Sequence, residues 1–117
     1  MLSLALPVDI YLCVTPADMR KAFDGLFALV VDHLGRDPLA GGLFVFLNRR
    51  RDRMKLLYWD GDGIAIWAKR LEAGTFQMPK VDAHAKSVAL SATELTLLLR
   101  GIDLGSVKQR KRYRRSA

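Results

Sequence analysis

The 117-residue sequence is 50% hydrophobic and 26% charged, and its formal net charge at pH 7 is +7. This length fits one domain with a buried core, and the lack of an apolar run of about 20 residues argues against a membrane span. A lone cysteine, Cys13, excludes a disulfide framework and a cysteine-based zinc site. The apolar N-terminal residues lack the basic start of a signal peptide, so the sequence favours a cytoplasmic protein.

The chain begins with a predicted strand, followed by a predicted amphipathic helix. Apolar residues alternate over residues 8–14 with the period of a half-buried strand. Thr15 then has the character of a helix N-cap, Pro16 that of a first helical residue, and Asp18 completes a pair like a capping box. Apolar residues three and four positions apart predict that this helix covers residues 16–34.

The centre of the chain has the pattern of three consecutive strands. Apolar, strand-like runs cover residues 43–47, 54–59 and 64–67. A basic turn at residues 48–53 joins the first two runs, and a turn of alternating aspartate and glycine at residues 60–63 joins the last two. Connections this short indicate an antiparallel β-meander.

A second helix is predicted near the C-terminal end. Residues 88–90 are expected to pair briefly with a sheet edge. Ser91 and Glu94 then form the signature of a capping box, and the helix that follows is expected to end at Gly101.

The positive charge of the chain is concentrated near its C-terminus. Residues 108–117 contain six basic and no acidic side chains, whereas the remaining residues carry a net charge of only +1. A segment this charged is not expected to fold alone. We therefore predict one small α+β domain over residues 1–105, an antiparallel β-meander with two flanking helices, and a flexible basic C-terminal tail over residues 106–117.

Two basic clusters are the candidate nucleic-acid-binding sites. An arginine-rich turn on a stiff hairpin presents guanidinium groups suited to phosphate, and a basic tail favours a polyanion through counterion release. The alternatives are a solvated turn in which Asp52 pairs locally, and a tail that only increases solubility. The candidate residues are Arg49, Arg50, Arg51, Arg53 and Lys55 in the hairpin, and Lys108, Arg110, Lys111, Arg112, Arg114 and Arg115 in the tail.

Four aromatic residues are candidates for base stacking or partner contact: Tyr58, Trp59, Trp67 and Tyr113. The alternative for the three strand aromatics is packing in the core or against a partner. Because neighbouring strand residues face opposite sides of a sheet, one of Tyr58 and Trp59 is expected in the core and the other in a more exposed position. Tyr113 lies in the basic tail, where nothing is expected to bury it.

Signals for metal, cofactor and catalytic sites are weak. Asp60 and Asp62 are interpreted as turn formers, because the further ligands of a calcium loop are missing. A two-metal nuclease is an alternative that needs clustered carboxylates from Asp18, Asp24, Asp60, Asp62 and Asp103, and nothing in the sequence brings them together. We therefore expect no catalytic residues, no metal site and no cofactor.

Several short blocks occur in an order that is familiar from one protein family. They are residues 18–21, 23–26, 43–46, 48–50, 55–63, 69–72 with Gly74, Phe76 and Pro79, and 98–99 with 101–103. Together they resemble TnpB, the accessory protein of the insertion-sequence family numbered sixty-six, which is distinct from the RNA-guided nuclease of the same name. The resemblance covers about residues 8–104. It implies a role in DNA transposition beside a separate catalytic transposase, and it does not imply that this chain cuts DNA.

The leading hypothesis is a non-catalytic accessory protein of DNA transposition that binds DNA through the hairpin arginines and the basic tail. Its expected partners are DNA and a separate transposase or other transposition protein, without membrane association. The alternative is a protein-interaction subunit, which docks a separate transposase through its sheet or a helix face and makes no direct contact with DNA.

Overall fold

The computed structural model describes residues 8–101, which form a five-stranded mixed sheet with helices packed on both faces. The strands are β1 (Ile10–Cys13), β2 (Leu43–Leu47), β3 (Arg53–Trp59), β4 (Ile64–Arg70) and β5 (Ser87–Leu90). The helices are α1 (Phe23–Ala28), which continues as a π-helical turn over Leu29–His33, and α2 (Ala92–Arg100), with a short 3-10 turn at Pro38–Ala40. This is the small α+β domain that the sequence predicts. Within residues 8–101, no helix combines the length and the apolar character that crossing a membrane requires.

The sheet is built around the predicted meander. β2, β3 and β4 pair antiparallel in sequence order, as their short connections predict. β1 pairs in parallel with β2, because the long connection through α1 carries the chain back to the same end of the sheet. β5 pairs antiparallel with the other side of β1, which confirms the predicted edge pairing and makes the strand order β4-β3-β2-β1-β5. The parallel β1–β2 pair is the reason that the whole sheet is mixed rather than antiparallel throughout.

Both faces of the sheet are covered, and β2 shows this most clearly because all five of its side chains are buried. On one face, which we call the α2 face, Leu43 and Val45 belong to the same buried cluster as Leu95 of α2. On the opposite face, the α1 face, Phe44 belongs to a second cluster with Leu26 of α1. A strand buried on both faces has a continuous apolar sequence, as β2 does.

The first helix is shorter than predicted, and its predicted start at Pro16 is wrong. Helix α1 begins only at Phe23. The N–H of Ala17 donates a hydrogen bond to the carbonyl of Leu47 at 2.8 Å, which ties this part of the chain to the end of β2. The tertiary hydrogen bond therefore overrides the local helix signal over residues 16–22.

The predicted capping roles of Thr15 and Asp18 are wrong for a related reason. The Asp18 carboxylate accepts from the backbone N–H of Arg20 at 2.9 Å, and the N–H of Lys21 donates to the Asp18 carbonyl at 3.0 Å. Asp18 thus closes a local turn, which is the usual competitor of a helix cap for aspartate. The Thr15 hydroxyl lies 3.0 Å from Nε2 of His33 instead of bonding to a helix N-terminus.

Helix α2 begins and ends as predicted. The Ser91 hydroxyl oxygen accepts from the N–H of Glu94 at 3.0 Å, and the Glu94 carboxylate accepts from the N–H of Ser91 at 2.9 Å, which completes the capping box. Gly101 follows the last turn with φ of +76°, a left-handed conformation that glycine adopts without strain. Leu95 and Leu98 are buried and hold the helix against the α2 face.

Candidate nucleic-acid interface

The connection between β2 and β3 is a short basic loop over residues 48–52, which we call the arginine loop. Asn48 fixes its shape through three side-chain hydrogen bonds. Its amide oxygen accepts from the N–H groups of Asp52 and Arg53, both at 3.0 Å, and its amide nitrogen donates to the Asp52 carboxylate at 2.7 Å. Asparagine side chains stabilise turns by bonding to the backbone a few residues ahead. The loop is therefore preorganised.

The segment after β4 supports the arginine loop from its other side. The N–H of Leu71 donates to the Asp52 carbonyl and the N–H of Phe76 donates to the Arg51 carbonyl, both at 2.7 Å. Leu71 and Phe76 are themselves buried in the cluster on the α2 face, so this support is anchored in the core. Among residues 8–101, Arg51 is the one non-glycine residue with positive φ, at +60°. That conformation costs about 1–2 kcal/mol, and the hydrogen bonds around the loop offset it.

The arginine side chains of this region project into solvent and keep their hydrogen-bonding capacity. Asp52 is bound by Asn48, whose amide lowers the pKa of the Asp52 carboxyl, with a smaller effect from the positive charges of Arg50 and Arg53. The local partner of Asp52 is thus an amide and not an arginine. Four exposed guanidinium groups form no ion pair in the described part of the chain: those of Arg49, Arg50, Arg51 and Arg53.

Lys55 differs from the arginines, because its ammonium group binds inside the protein. The side chain lies on the α1 face and donates to the carbonyls of Met19 at 2.8 Å and Lys21 at 2.7 Å. These bonds fasten the turn at residues 18–21 against β3. Two of the three ammonium donors are used in this way, so the geometry gives Lys55 a supporting role beside its predicted role as a DNA contact.

The turn at residues 18–21 and the arginine loop flank an open groove of about 480 Å³, which we call the basic groove. Met19 and Asn48 line it, together with residues at the paired ends of β3 and β4. The groove brings together arginines that are far apart in the sequence. Five of them line it: Arg20, Arg49, Arg50, Arg53 and Arg70.

Two of these arginines are oriented by carboxylates close to them in the chain. Arg20 binds Asp18 at 2.7 Å, and Arg70 binds Glu72 at 3.0 Å. Hydrogen bonds from the side chain and backbone of Arg20 lower the pKa of Asp18 to about 2. Both ion pairs are exposed and therefore add little to stability. Their effect is to hold two guanidinium groups at the groove.

The candidate stacking aromatics on β3 and β4 do not join the arginine loop. Tyr58 and Trp67 are half-buried against the cluster on the α2 face, whereas Trp59 is 38% exposed and lies on the α1 face. Tyr58 and Trp59 thus face opposite sides, as strand alternation predicts. Trp59 stands at the far end of β3, about 20 Å from Arg53 at the rise of an extended strand. A compact site cannot include both.

Within residues 8–101, no group of three or more histidine, cysteine, aspartate or glutamate side chains is arranged to hold a metal ion. Asp60 and Asp62 lie in the turn between β3 and β4, which the Asp60 N–H closes by donating to the Gly63 carbonyl at 2.8 Å. Asp103 lies outside the described residues. The same holds for the candidates in the tail: Lys108, Arg110, Lys111, Arg112, Tyr113, Arg114 and Arg115.

Comparison with known proteins identifies the family. The model of the TnpB_IS66 family, described as IS66 Orf2-like proteins, matches residues 8–109. The chain belongs to this family. It is 40% identical over 101 residues to uncharacterized protein y4jC of Sinorhizobium fredii, covering 86% of this chain and 85% of that protein. Uncharacterized protein y4hO of the same organism is 36% identical over 96 residues, which is 82% of each chain. No solved structure matches.

Membership confirms the resemblance and makes this IS66 Orf2-like chain an accessory protein of transposition. Three residues that shape its basic groove fall outside the predicted site. Asn48 directly precedes a run of turn residues, and that position is the signal for its role. In the sequence Arg20 and Arg70 could extend a basic surface, although ordinary solvation is the favoured interpretation of each alone. Only the tertiary structure places them in the same groove as Arg53.

Replacing Asn48 with Ala should lower the free energy of unfolding of the IS66 Orf2-like chain by about 2 kcal/mol, because the N–H of Asp52 and of Arg53 lose their acceptor. Chemical denaturation measures this change. Arg49→Ala is the matched control, since it alters the same loop without removing one of these hydrogen bonds. Equal stabilities of the two variants would show that Asn48 does not hold the loop.

The Asp18 carboxyl should titrate with a pKa of about 2 in the folded protein. Arg20→Gln removes the guanidinium group and should raise the pKa of Asp18 toward its ordinary value of about 3.9. The pKa is lower in the folded chain than in the unfolded one. The Asp18–Arg20 pair therefore adds stability above the unfolded pKa and loses it as the pH falls through the folded pKa. NMR titration of the carboxyl carbon measures both values, and an Asp18 pKa that does not respond to Arg20→Gln would contradict this assignment.

Proposed function

We propose that this protein is a non-catalytic accessory factor that binds the phosphate backbone of DNA through its arginine loop during transposition. The observation that carries the proposal is the set of exposed arginines, free of ion pairs within residues 8–101, on a loop held by Asn48. In this proposal a separate transposase performs strand cleavage and transfer. The arginine loop provides a fixed point of attachment to the duplex.

The chemistry of arginine supports this reading of the loop. The planar guanidinium group donates two parallel hydrogen bonds to a phosphate and stays charged at every physiological pH. A preorganised loop loses little conformational entropy on binding, so more of the contact energy appears as affinity. The basic tail, residues 106–117, would add affinity that does not depend on DNA sequence, because each neutralised phosphate releases counterions.

The variant Arg49→Ala/Arg50→Ala/Arg51→Gly tests the role of the arginine loop. Glycine at position 51 preserves the positive φ of that residue. If three phosphate contacts are lost, the slope of log K against log salt concentration should become shallower by about 2.7, at about 0.9 per contact. Fluorescence anisotropy with a duplex oligonucleotide at several salt concentrations measures the slope.

The matched control for this variant removes the same charge elsewhere. Lys80→Ala/Lys86→Ala/Arg100→Ala alters three exposed basic residues that do not line the basic groove. Its slope should remain close to that of the parent. Equal slopes for the two triple variants would contradict the role of the arginine loop and indicate binding governed by net charge. Deleting residues 106–117 from the parent and from both variants separates the contribution of the tail.

Protein docking is a second candidate function, favoured by an exposed aromatic side chain on α1 and another at the end of β3. Phe23 is 52% exposed and Trp59 is 38% exposed, and exposed apolar patches mark interaction surfaces. If a transposase docks here, Phe23→Ala/Trp59→Ala should weaken its complex with this chain by about tenfold or more at high salt and leave DNA binding unchanged. Pull-down titration against the transposase of the same element tests this, and an unaltered complex rules the surface out.

A further inference from the structure

We propose that the basic groove binds the backbone of duplex DNA, with Arg20 and Arg70 as phosphate contacts in addition to the arginine loop. This inference rests on the proposed function and extends it from a loop to a continuous track. The lining of the groove comes from the arginine loop, from the paired ends of β3 and β4 and from the turn at residues 18–21. Neither Arg20 nor Arg70 belongs to the loop itself.

The first support is a pair of like charges at the end of the hairpin. Arg53 and Arg70 are directly opposite partners in the antiparallel β3–β4 ladder, so both side chains lie on the same face of the sheet. Like charges in this arrangement destabilise a sheet. Glu72 compensates Arg70, while Arg53 has no ion pair in the described part of the chain. A phosphate bound between the two guanidinium groups would turn this repulsion into attraction.

The second support is the charge balance of the groove. Five arginines and two carboxylates line it, which gives the lining a formal charge of +3, or +2 when Glu72 beside Arg70 is included. Neither carboxylate neutralises the arginine loop, because Asp18 is bound by Arg20 and Asp52 is bound by Asn48. A surplus of positive charge that is concentrated in a groove attracts a polyanion and orients it along the groove.

The third support is the unused hydrogen-bonding capacity of Arg20 and Arg70. Arg20 binds Asp18 through Nε and Nη2, and Arg70 binds Glu72 through the same two nitrogens. The Nη1 group of each arginine is left for a phosphate oxygen. The carboxylates therefore orient these side chains while one edge of each guanidinium group remains available to a ligand.

The lining of the groove favours a base-paired duplex over a single strand. Proteins that bind single strands combine basic grooves with aromatic side chains on which unpaired bases stack. No aromatic residue is among the described residues that line the basic groove. A duplex keeps its bases stacked inside and offers its phosphates outside, which is the chemistry that arginines alone can bind.

A variant of unchanged net charge tests the proposal. D18N/R20Q/R70Q/E72Q removes both arginines together with their carboxylate partners, so the net charge of the chain stays the same. If Arg20 and Arg70 contact phosphates, duplex affinity should fall by about tenfold to a hundredfold, and the salt slope should become shallower by about 1.8. The probes are a duplex oligonucleotide of mixed sequence and one of its single strands, measured by fluorescence anisotropy. If the quadruple variant does not fold, R70Q/E72Q replaces it in the same measurements, because this double variant leaves the turn at residues 18–21 intact.

A second pair of variants tests whether the negative charge of Glu72 opposes the binding of phosphate at Arg70. E72Q removes the negative charge beside Arg70 and keeps a side-chain oxygen that can accept its hydrogen bonds. D62N makes the same change of charge in the turn at the opposite end of β3. The proposal predicts that E72Q binds duplex DNA more tightly than D62N does. Equal affinities would overturn the assignment of Arg70 as a phosphate contact.

The outcomes separate this inference from the proposed function. The loss of two phosphate contacts predicts a fall in duplex affinity of more than about twofold. If the quadruple variant D18N/R20Q/R70Q/E72Q binds the duplex within about twofold of the unsubstituted protein, the groove is not a DNA-binding site. If the arginine-loop variant still loses affinity in that case, the proposed function stands without the groove. Parent-like binding by both variants would overturn both. A larger loss for the single strand than for the duplex would overturn the duplex assignment.

Discussion

The shape of the basic surface depends on the amide side chain of Asn48. This residue directly follows β2, whose five side chains are all buried, and precedes the exposed residues of the arginine loop. Its hydrogen bonds fix Asp52 and the first residue of β3, Arg53. The start of β3 in turn sets the pairing of Arg53 with Arg70. One polar side chain at the end of a buried strand thus determines both the conformation of the loop and the position of one side of the groove.

The acidic residues of this region orient basic groups rather than neutralise the surface. Asp52 is bound by Asn48, and Asp18 and Glu72 each bind one arginine through a subset of its donors. Lys55 holds the turn at residues 18–21 against β3, because its ammonium group binds two carbonyls of that turn. Exposed ion pairs contribute little to stability, so their geometry matters here through the orientation of guanidinium groups. An oriented side chain has less entropy to lose when it binds phosphate.

Much of the fold could be predicted from local sequence, and the failures have a common cause. The meander follows from apolar runs with short turns, and α2 follows from its capping box. Each of these signals involves residues that are only a few positions apart. The start of α1 could not be predicted, because the Ala17–Leu47 hydrogen bond and the Lys55 ammonium hold residues 16–22 outside the helix. These contacts join residues 30 to 36 positions apart in the chain, and no local pattern encodes them.

The candidate site also combines features that local sequence predicts with features that only the tertiary structure sets. The exposure of the loop arginines follows from their position in a turn, and the opposite placement of Tyr58 and Trp59 follows from strand alternation. The basic groove depends on strand register and on the path of residues 18–21. Arg20 and Arg70 therefore have no more signal in the sequence than any other surface arginine.

The proposed function depends most on direct contact between DNA and the outward-facing arginines of the preorganised loop, and NMR of the arginine Nε–H groups tests this contact best. Adding duplex DNA in steps should shift the side-chain signals of Arg49, Arg50 and Arg51, while the backbone amide signals of Asn48 and Asp52 change little, because the loop already has its bound shape. Unshifted arginine signals, with changes confined to the surroundings of Phe23 and of Trp59, would contradict the proposed function.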